Sequence, residues 1–505
     1  MIEGLLGGFG NLADPVNLLL ILTGTALGII VGALPGLSSP MAITVLLPLT
    51  YPFAPIPALV LLMGVYVGTK LGGSFSAILL RTPGTPAAAC TALDGFPMAE
   101  KGKAAQALGY ATVGSTLGGL LAWGIAVTSI PLLSTVAVEA KNADIALIGI
   151  LGLVLVSAFA RGSMLKGLIG VVLGLLIASI GLDPIDATDR FTFGIPQMME
   201  GIPFTAALIG FFGIAVVLSD LKLIGAKSEL LTKNVGLKLP SLAELRQRWQ
   251  GIAIGGSYGV FIGAVPGVGA ESATWLAYAT AKNRSKEGEK FGTGEPDGIL
   301  TPEACNNATT GGTMIPMLTL GLPGDGSTAV MLGALVLHGV EPGVLLMKQS
   351  GDLVYAILAS LLIATIFMFF LALGAIKYFV LVLRQDRSYL FPFVLVLATV
   401  GAYAISNTLF PVFVAVTLGI VGYILETRRF PLVTLVLGII LGPIIEYNAR
   451  VAMVISGNDW SVFFGTWPRI VMLALTALLV LREIQKGLVA QKERREEILS
   501  TASYD

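Results

Sequence analysis

Small polar residues gather wherever the long apolar stretches of this chain are interrupted. Ser38 and Ser39 stand at one interruption, Ser74, Ser76, Thr82 and Thr85 at a second, and Ser272 and Thr274 at a third. Asn306, Asn307, Thr309, Thr310 and Thr313, then Ser327 and Thr328, flank the last. Each interruption holds a Pro-Gly pair: Pro35-Gly36, Pro83-Gly84, Pro266-Gly267 and Pro323-Gly324. Pro removes a backbone donor and Gly loses the most entropy on becoming helical, so such pairs end helices. A helix that starts inside a membrane presents unpaired N–H groups and a positive dipole end, which suits an anion. One that ends there presents free carbonyls, which suit Na⁺ or H⁺ coupling. The substrate-binding candidates are therefore Pro35, Gly36, Ser38, Ser39, Thr82, Pro83, Gly84, Thr85, Pro266, Gly267, Asn306, Asn307, Pro323 and Gly324. The cation-coupling candidates are Glu271, Thr310, Asp325, Ser327 and Thr328. A competing role for any single Ser or Thr is helix packing, since small residues let membrane helices approach closely.

Charges inside apolar stretches are few, and each needs a reason. Arg81 adjoins Thr82-Pro83-Gly84, where its guanidinium could grip a carboxylate bidentately or serve the fold. Lys70, before Leu71-Gly72-Gly73, carries the same two alternatives. Glu271 follows the third break and Asp325 the fourth, each a candidate to bind a cation or carry a proton. His338 is the single histidine and sits at the outer end of a span, where an interfacial role outweighs a proton relay. There is no HExxH, no nucleophile elbow and no GxxxxGK[ST] loop, so neither an enzyme nor an ATP-driven pump is expected. No organic cofactor or resident metal is implied; the coupling ion would be Na⁺ or H⁺.

The elements that position these residues must span a membrane. The 505 residues are 55% hydrophobic and only 12% charged, with mean hydropathy +0.86, too apolar for a soluble domain of that length. Lys and Arg balance Asp and Glu at 31 each, which removes an electrostatic case for nucleic acid. Cys90 and Cys305 lie in apolar context and read as small buried thiols. The first 16 residues include Glu3 and Asp14 and lack a basic n-region, so no cleavable signal peptide is expected.

Basic residues mark cytoplasmic flanks. Residues 251–281 follow Lys222, Lys227, Lys233, Lys238, Arg246 and Arg248 and precede Lys282, Arg284, Lys286 and Lys290. A single crossing would place one cluster outside; a re-entrant hairpin with its tip at Pro266-Gly267 keeps both inside. Legs of about 15 residues reach about 22 Å, close to the middle of a core about 30 Å thick. Residues 17–51 read as the matching hairpin, entering from the opposite face because the first basic residue is Lys70.

The fold expected is an all-α polytopic membrane protein of two inverted repeats, each with a re-entrant hairpin and a broken transmembrane helix, about 11 crossings in all. The first repeat takes 1–220 (hairpin 17–51, broken helix 57–92), the connecting cytoplasmic loop 221–250, and the second repeat 251–481 (hairpin 251–281, broken helix 304–338). A cytoplasmic tail, 482–505, follows.

With the breaks placed, the chain resembles the large membrane subunit of the tripartite tricarboxylate transporters, the TctA family. The likeness rests on GALPGLSSPMAITVLLPLTY (32–51), GGSFSAILLRTPGTPAAACTALDGFPMAEKGKAAQALG (72–109) and GLDPIDATDRFTFG (181–194). It extends through GAVPGVGAESA and EACNNATTGGTMIPMLTLGLPGDGSTAVMLGAL, between 263 and 335. The resemblance implies Na⁺-type cation-coupled uptake of di- or tricarboxylates across a bacterial inner membrane. It also implies a small membrane subunit and a periplasmic solute-binding protein as partners, and, by wider analogy, an elevator motion. Two other readings stay open at this point: a channel-like pore, and a structural subunit that does not itself transport.

Overall fold

The computed structural model describes residues 1–159, 163–220, 236–382, 390–482 and 485. Residues 221–235 of the connecting loop and most of the tail after 482 therefore lie outside the description. So do Arg161, Lys222, Lys227, Lys233, Arg384, Arg387, Lys486, Lys492, Arg494 and Arg495, basic residues that bear on the charge map.

In chain order the helices are α1 (Ile2–Leu12), α2 (Pro15–Ala33), α3 (Ser39–Leu46), α4 (Pro55–Leu80), α5 (Ala89–Met98) and α6 (Ala104–Ala137). Then come α7 (Asn142–Phe159), α8 (Met164–Ala178), α9 (Phe204–Leu208), α10 (Ala215–Asp220), α11 (Leu242–Gln247), α12 (Trp249–Gly263) and α13 (Gly269–Arg284). They are followed by α14 (Asp297–Leu320), α15 (Gly326–Leu337), α16 (Leu346–Gln349), α17 (Gly351–Val382), α18 (Leu390–Ala404), α19 (Phe410–Thr427) and α20 (Leu432–Ile455). A last helix, α21, covers 467–482. Six helices among the described residues are long and apolar enough to cross a membrane, and others are shorter apolar rods, as an all-α multi-pass membrane protein requires. Among the described residues the one sheet is a two-residue antiparallel pair, Gly181–Leu182 with Asp189–Arg190.

Local chemistry sets the ends. Asp14 caps α2 by accepting from Val16 N at 2.9 Å, with Pro15 in the first turn; α2 stops at Leu34, the residue before Pro35. Helix α4 opens at Pro55 and closes on Arg81, whose φ of +56° breaks the helix two residues ahead of Pro83. Gly36 and Gly267 hold φ of +95° and +82°, a left-handed backbone that glycine enters without strain.

The structure divides into two compact units, Met1–Glu139 with Ile202–Arg428, and Ala140–Gly201 with Arg429–Asp505. Each therefore draws on both halves of the chain. In the first unit Gly24, Gly28 and Gly32 of α2 pack against the backbone of Leu61, Val65 and Thr69 of α4. The numbers rise together, so α2 and α4 are parallel and α3 must run back: residues 15–50 form a helical hairpin about the break at Pro35-Gly36. The pattern recurs in the same register, with Gly255, Gly259 and Gly263 of α12 against Thr301, Cys305 and Thr309 of α14. There α13 is the returning leg. The breaks close on the same contacts too: Gly84 lies against the Gly32 carbonyl and Gly324 against the Gly263 carbonyl, and a Cβ at either would collide.

Helices α9 and α10, joined through Ile209–Ile214 into one rod, pack with α18 and α19 over Ala206, Ile209, Ala398, Ala402 and Ala415. In the second unit α7, α8 and α20 form a similar three-helix layer, with Gly174 of α8 and Gly438 of α20 in mutual contact. Outside its spans, Asp183 accepts from the backbone N–H of Ile185 and Asp186, both at 2.8 Å, and pairs with Arg450, while Arg190 reaches Glu446 at 2.6 Å. Arg469 clasps Asp144 at 2.6 Å.

Lys70, read from the sequence as a charge inside an apolar stretch, lies in the middle of α4 with 3% of its surface exposed. A buried Lys paired to a carboxylate escapes the flanking-charge rule, which describes solvated loops. The first 16 residues, read only for a signal peptide, hold a helix of their own, and its Gly8 packs on the backbone of Tyr355 in α17.

Candidate functional site at the helix breaks

The middle of α4 is the hub. Tyr66, Thr69 and Lys70 sit on it within about one turn, each wholly or almost wholly buried. Lys70 Nζ lies 3.7 Å from Asp325 Oδ2 and 4.8 Å from the centre of the Tyr66 ring. Tyr66 donates to Asp325 Oδ2 at 2.8 Å and is 3.0 Å from Thr313 Oγ1. The other carboxylate oxygen, Oδ1, accepts from Thr328 N and Thr328 Oγ1, both at 2.9 Å, which makes Asp325 the cap of α15. Thr69 donates to Ser39 Oγ at 2.8 Å, tying the start of α3 to the same stretch of α4. Asn306 of α14 donates to the Lys70 carbonyl at 3.3 Å.

The four helix starts are not equivalent. That of α15 is already filled by the Asp325 carboxylate, and that of α3 by Ser38 Oγ, 3.4 Å from Met41 N. The starts at Thr85-Pro86 and at Val268-Gly269 have no side-chain cap. These two lie side by side, because α5 and α13 run in the same direction: Cys90 meets Thr274 and Asp94 meets Tyr278. Gly269 also abuts Asp325, and Glu271 in the first turn of α13 is near enough to act on the Lys70 charge. Thr85 Oγ1 and Asn306 Oδ1 are buried with no hydrogen-bond partner among the described residues. A cation, two uncapped N-termini and unpaired polar atoms thus share one buried centre, the components of a site for a small anion.

The expected residues fall around this centre unequally. Ser39, Thr85, Asn306, Asp325 and Thr328 are joined to it by the contacts above. Gly84 N donates to Gly73 O of α4 at 3.1 Å, tying its break to its own helix, and Gly267 N donates to Gly324 O at 3.0 Å, joining the two breaks of the second half. Pro35, Pro266, Pro323 and Ser327 are buried at the breaks, and Pro83 is half-buried. Asn307 turns away, its Nδ2 3.2 Å from Met368 Sδ of α17, and Thr310 donates to the Asn307 carbonyl at 2.6 Å. Thr82 is occupied with Leu80 O at 3.3 Å, and Gly36 is exposed. Arg81 is exposed, its guanidinium 5.5 Å from the Phe96 ring. Tyr66 and Thr69 were missed, and Thr313 was named only among the polar residues of its break. Only Lys70 carried a signal, as the one charge between 55 and 80.

Away from the centre, Asp94 Oδ1 accepts from the backbone of Gly292, Gly294 and Glu295 at 2.7–2.9 Å. It thereby locks the loop ahead of α14 onto α5. His338 sits 3.1 Å from Thr50 Oγ1 at the end of the first hairpin.

A helical membrane protein built on paired hairpins and broken helices, with a buried polar centre between them, is the class that this fold and site define. Within that class, the chain belongs to the tripartite tricarboxylate transporter TctA family, whose model matches residues 18–437. It is 36% identical over 463 residues, 92% of each chain, to an "uncharacterized 52.8 kDa protein in TAR-I ttuC' 3'region" of Agrobacterium vitis. A second protein of that organism, from the TAR-II ttuC' 3' region, is 36% identical over 205 residues, 41% of this chain and 85% of its own length.

Proposed function

We propose that the chain is the transporting subunit of a tripartite system that takes up di- or tricarboxylates across a bacterial inner membrane by cation-coupled secondary transport. The substrate arrives from a periplasmic binding protein, and a small membrane subunit completes the complex. The observation that carries this reading is the Lys70–Asp325 pair, 3.7 Å apart, beside two uncapped helix starts. A substrate carboxylate competes with Asp325 for Lys70 and takes up the N–H groups of Ala87 and Gly269 at those two starts. Asp325, released from Lys70, becomes available to the coupling ion.

The recurrence of the hairpin-and-break packing at Gly24–Gly32 and Gly255–Gly263 supports a duplicated chain, and opposite membrane orientation of the two copies fits it. An elevator motion of the hairpin-bearing helices would then carry the centre between faces.

The test is uptake of labelled carboxylates by vesicles containing the full complex. Accumulation above the external concentration, dependent on an inward Na⁺ or proton gradient, supports the proposal. Simple equilibration would make the chain a pore, and unchanged uptake with Gly267→Leu would leave it a structural subunit.

A further inference from the structure

A second polar cluster lies off the Lys70–Asp325 centre, around Glu303 of α14. Glu303 is fully buried, and so are the three hydroxyls that hold it. Oε1 accepts from Ser74 of α4 at 2.5 Å and from Thr91 of α5; Oε2 accepts from Ser115 of α6 at 2.9 Å. Four helices therefore meet on one carboxyl group. Close approach makes this possible: a Cβ on Gly114 of α6 would sit 2.8 Å from the Leu300 carbonyl.

The charges and titratable groups near it are engaged elsewhere. Lys70, one turn from Ser74 on α4, pairs with Asp325. On α5, Asp94 is held by Tyr278 of α13 and three backbone N–H groups, and Cys90 joins Tyr278 in a small core cluster. Cys305, a free thiol, lies on the same helix as Glu303. Tyr110 of α6 donates to Glu244, and the described residues of α12 bring no charge. Among the described residues no cation reaches Glu303.

A carboxylate left ionised there would have only neutral donors, and burying an unpaired charge is costly. Hydroxyls can donate to a carboxylate or accept from a carboxylic acid, so the same three partners satisfy both protonation states. A bound metal ion fits poorly. Oxygens 2.5–2.9 Å apart are already in direct hydrogen-bond contact, and a hard cation held at about 2.3–2.6 Å from each would force them apart. A proton needs no such room.

We propose that Glu303 is a proton-binding site of this protein and the place where a coupling proton is carried. The carboxylate takes one proton from the aqueous phase to which it opens, becomes a neutral carboxylic acid, and returns that proton to the water on the other side. Its ligands straddle the Pro83-Gly84 break, Ser74 before it and Thr91 after it, so the cluster can form or part as the broken span moves. The coupling role rests on the transport reading above; the proton site itself does not.

Infrared spectroscopy of the purified full chain tests the site. The wild-type spectrum minus that of Glu303→Gln should contain a carboxylic-acid C=O band at neutral pH that disappears in alkali. Ser115→Ala, which removes a donor to the ionised form, should move that transition upward by roughly one pH unit. A difference spectrum with only ionised-carboxylate bands at every pH, or a transition that Ser115→Ala leaves in place, overturns the site. In vesicles with its partners, Glu303→Gln should keep substrate exchange and lose proton-driven accumulation, while intact proton-driven accumulation overturns the coupling role. If wild-type vesicles accumulate no carboxylate, the transport reading fails while the infrared result still decides the site.

Discussion

Lys70 Nζ stands 3.7 Å from Asp325 Oδ2, and the two residues come from opposite halves of the chain. Lys70 is on the broken helix of the first half and Asp325 caps the helix after the break in the second. The packing register pairs Gly84 with Gly324 and Thr69 with Thr309, so Lys70 corresponds to Thr310 and Asp325 to Thr85. Each charge thus replaces a hydroxyl in the other half. The recurring packing frame positions the centre, and the differences between its two copies supply the chemistry.

Removing one partner of this pair should cost more than removing both. Asp325→Asn leaves a buried ammonium beside Tyr66, a loss on the order of 3–5 kcal/mol if Lys70 stays charged. Thermal unfolding in detergent should show a large drop for Asp325→Asn and recovery of most of it in the Lys70→Met/Asp325→Asn double variant. Carboxylate uptake should be lost in both. Equal midpoints for the single and double variants would refute the coupling of the two residues.

The break contacts should tolerate no added methyl. Gly84→Ala and Gly324→Ala drive a Cβ into the carbonyls of Gly32 and Gly263, which should cost about 1–3 kcal/mol and reduce uptake. Gly124→Ala on α6, where a Cβ meets open space, should be near neutral by the same unfolding measurement.

A re-entrant second hairpin would return to the face it leaves. Single cysteines at Ala243 and Lys286, both exposed and on either side of α12–α13, should react with an impermeant thiol reagent only from the cytoplasm. The native Cys90 and Cys305 are buried and give little background. External labelling of one site would turn the hairpin into a crossing.

The Asp183 cluster should make the second unit acid-sensitive. Backbone N–H groups of Asp186 and Ile185, then Arg450, hold the Asp183 carboxyl down at about 2. Its folded value lies below its unfolded value of about 3.9, so its stabilisation is full above that value and is lost as pH falls toward 2. The difference in unfolding temperature between wild type and Asp183→Asn should be constant above about pH 5 and shrink between about pH 4 and 2. A difference independent of pH would place the effect of the substitution elsewhere.

The breaks themselves were legible because Pro and Gly act locally: Pro35-Gly36, Pro83-Gly84, Pro266-Gly267 and Pro323-Gly324 all interrupt helices where the residue types require it. That the chain is built of apolar helices was legible through hydropathy. Neighbours were not. That α7 and α8 pack with α20, across most of the chain, depends on which small residues face each other, and hydropathy carries no such information. The role of Lys70 stayed open between binding and structure because its partner Asp325 is 255 residues away. Glu303, just outside the expected broken helix 304–338, was not singled out, because nothing in TPEACNN signals Ser74, Thr91 and Ser115 around it.

The central claim is that substrate carboxylate binds beside Lys70, at the meeting of the breaks. Calorimetric titration of a tricarboxylate into the purified chain tests it most directly. Lys70→Met should weaken binding by roughly 10- to 100-fold, as loss of a charge-assisted hydrogen bond would, while Arg81→Met should leave it within about twofold. Unchanged affinity in Lys70→Met, or loss in Arg81→Met alone, would contradict the account.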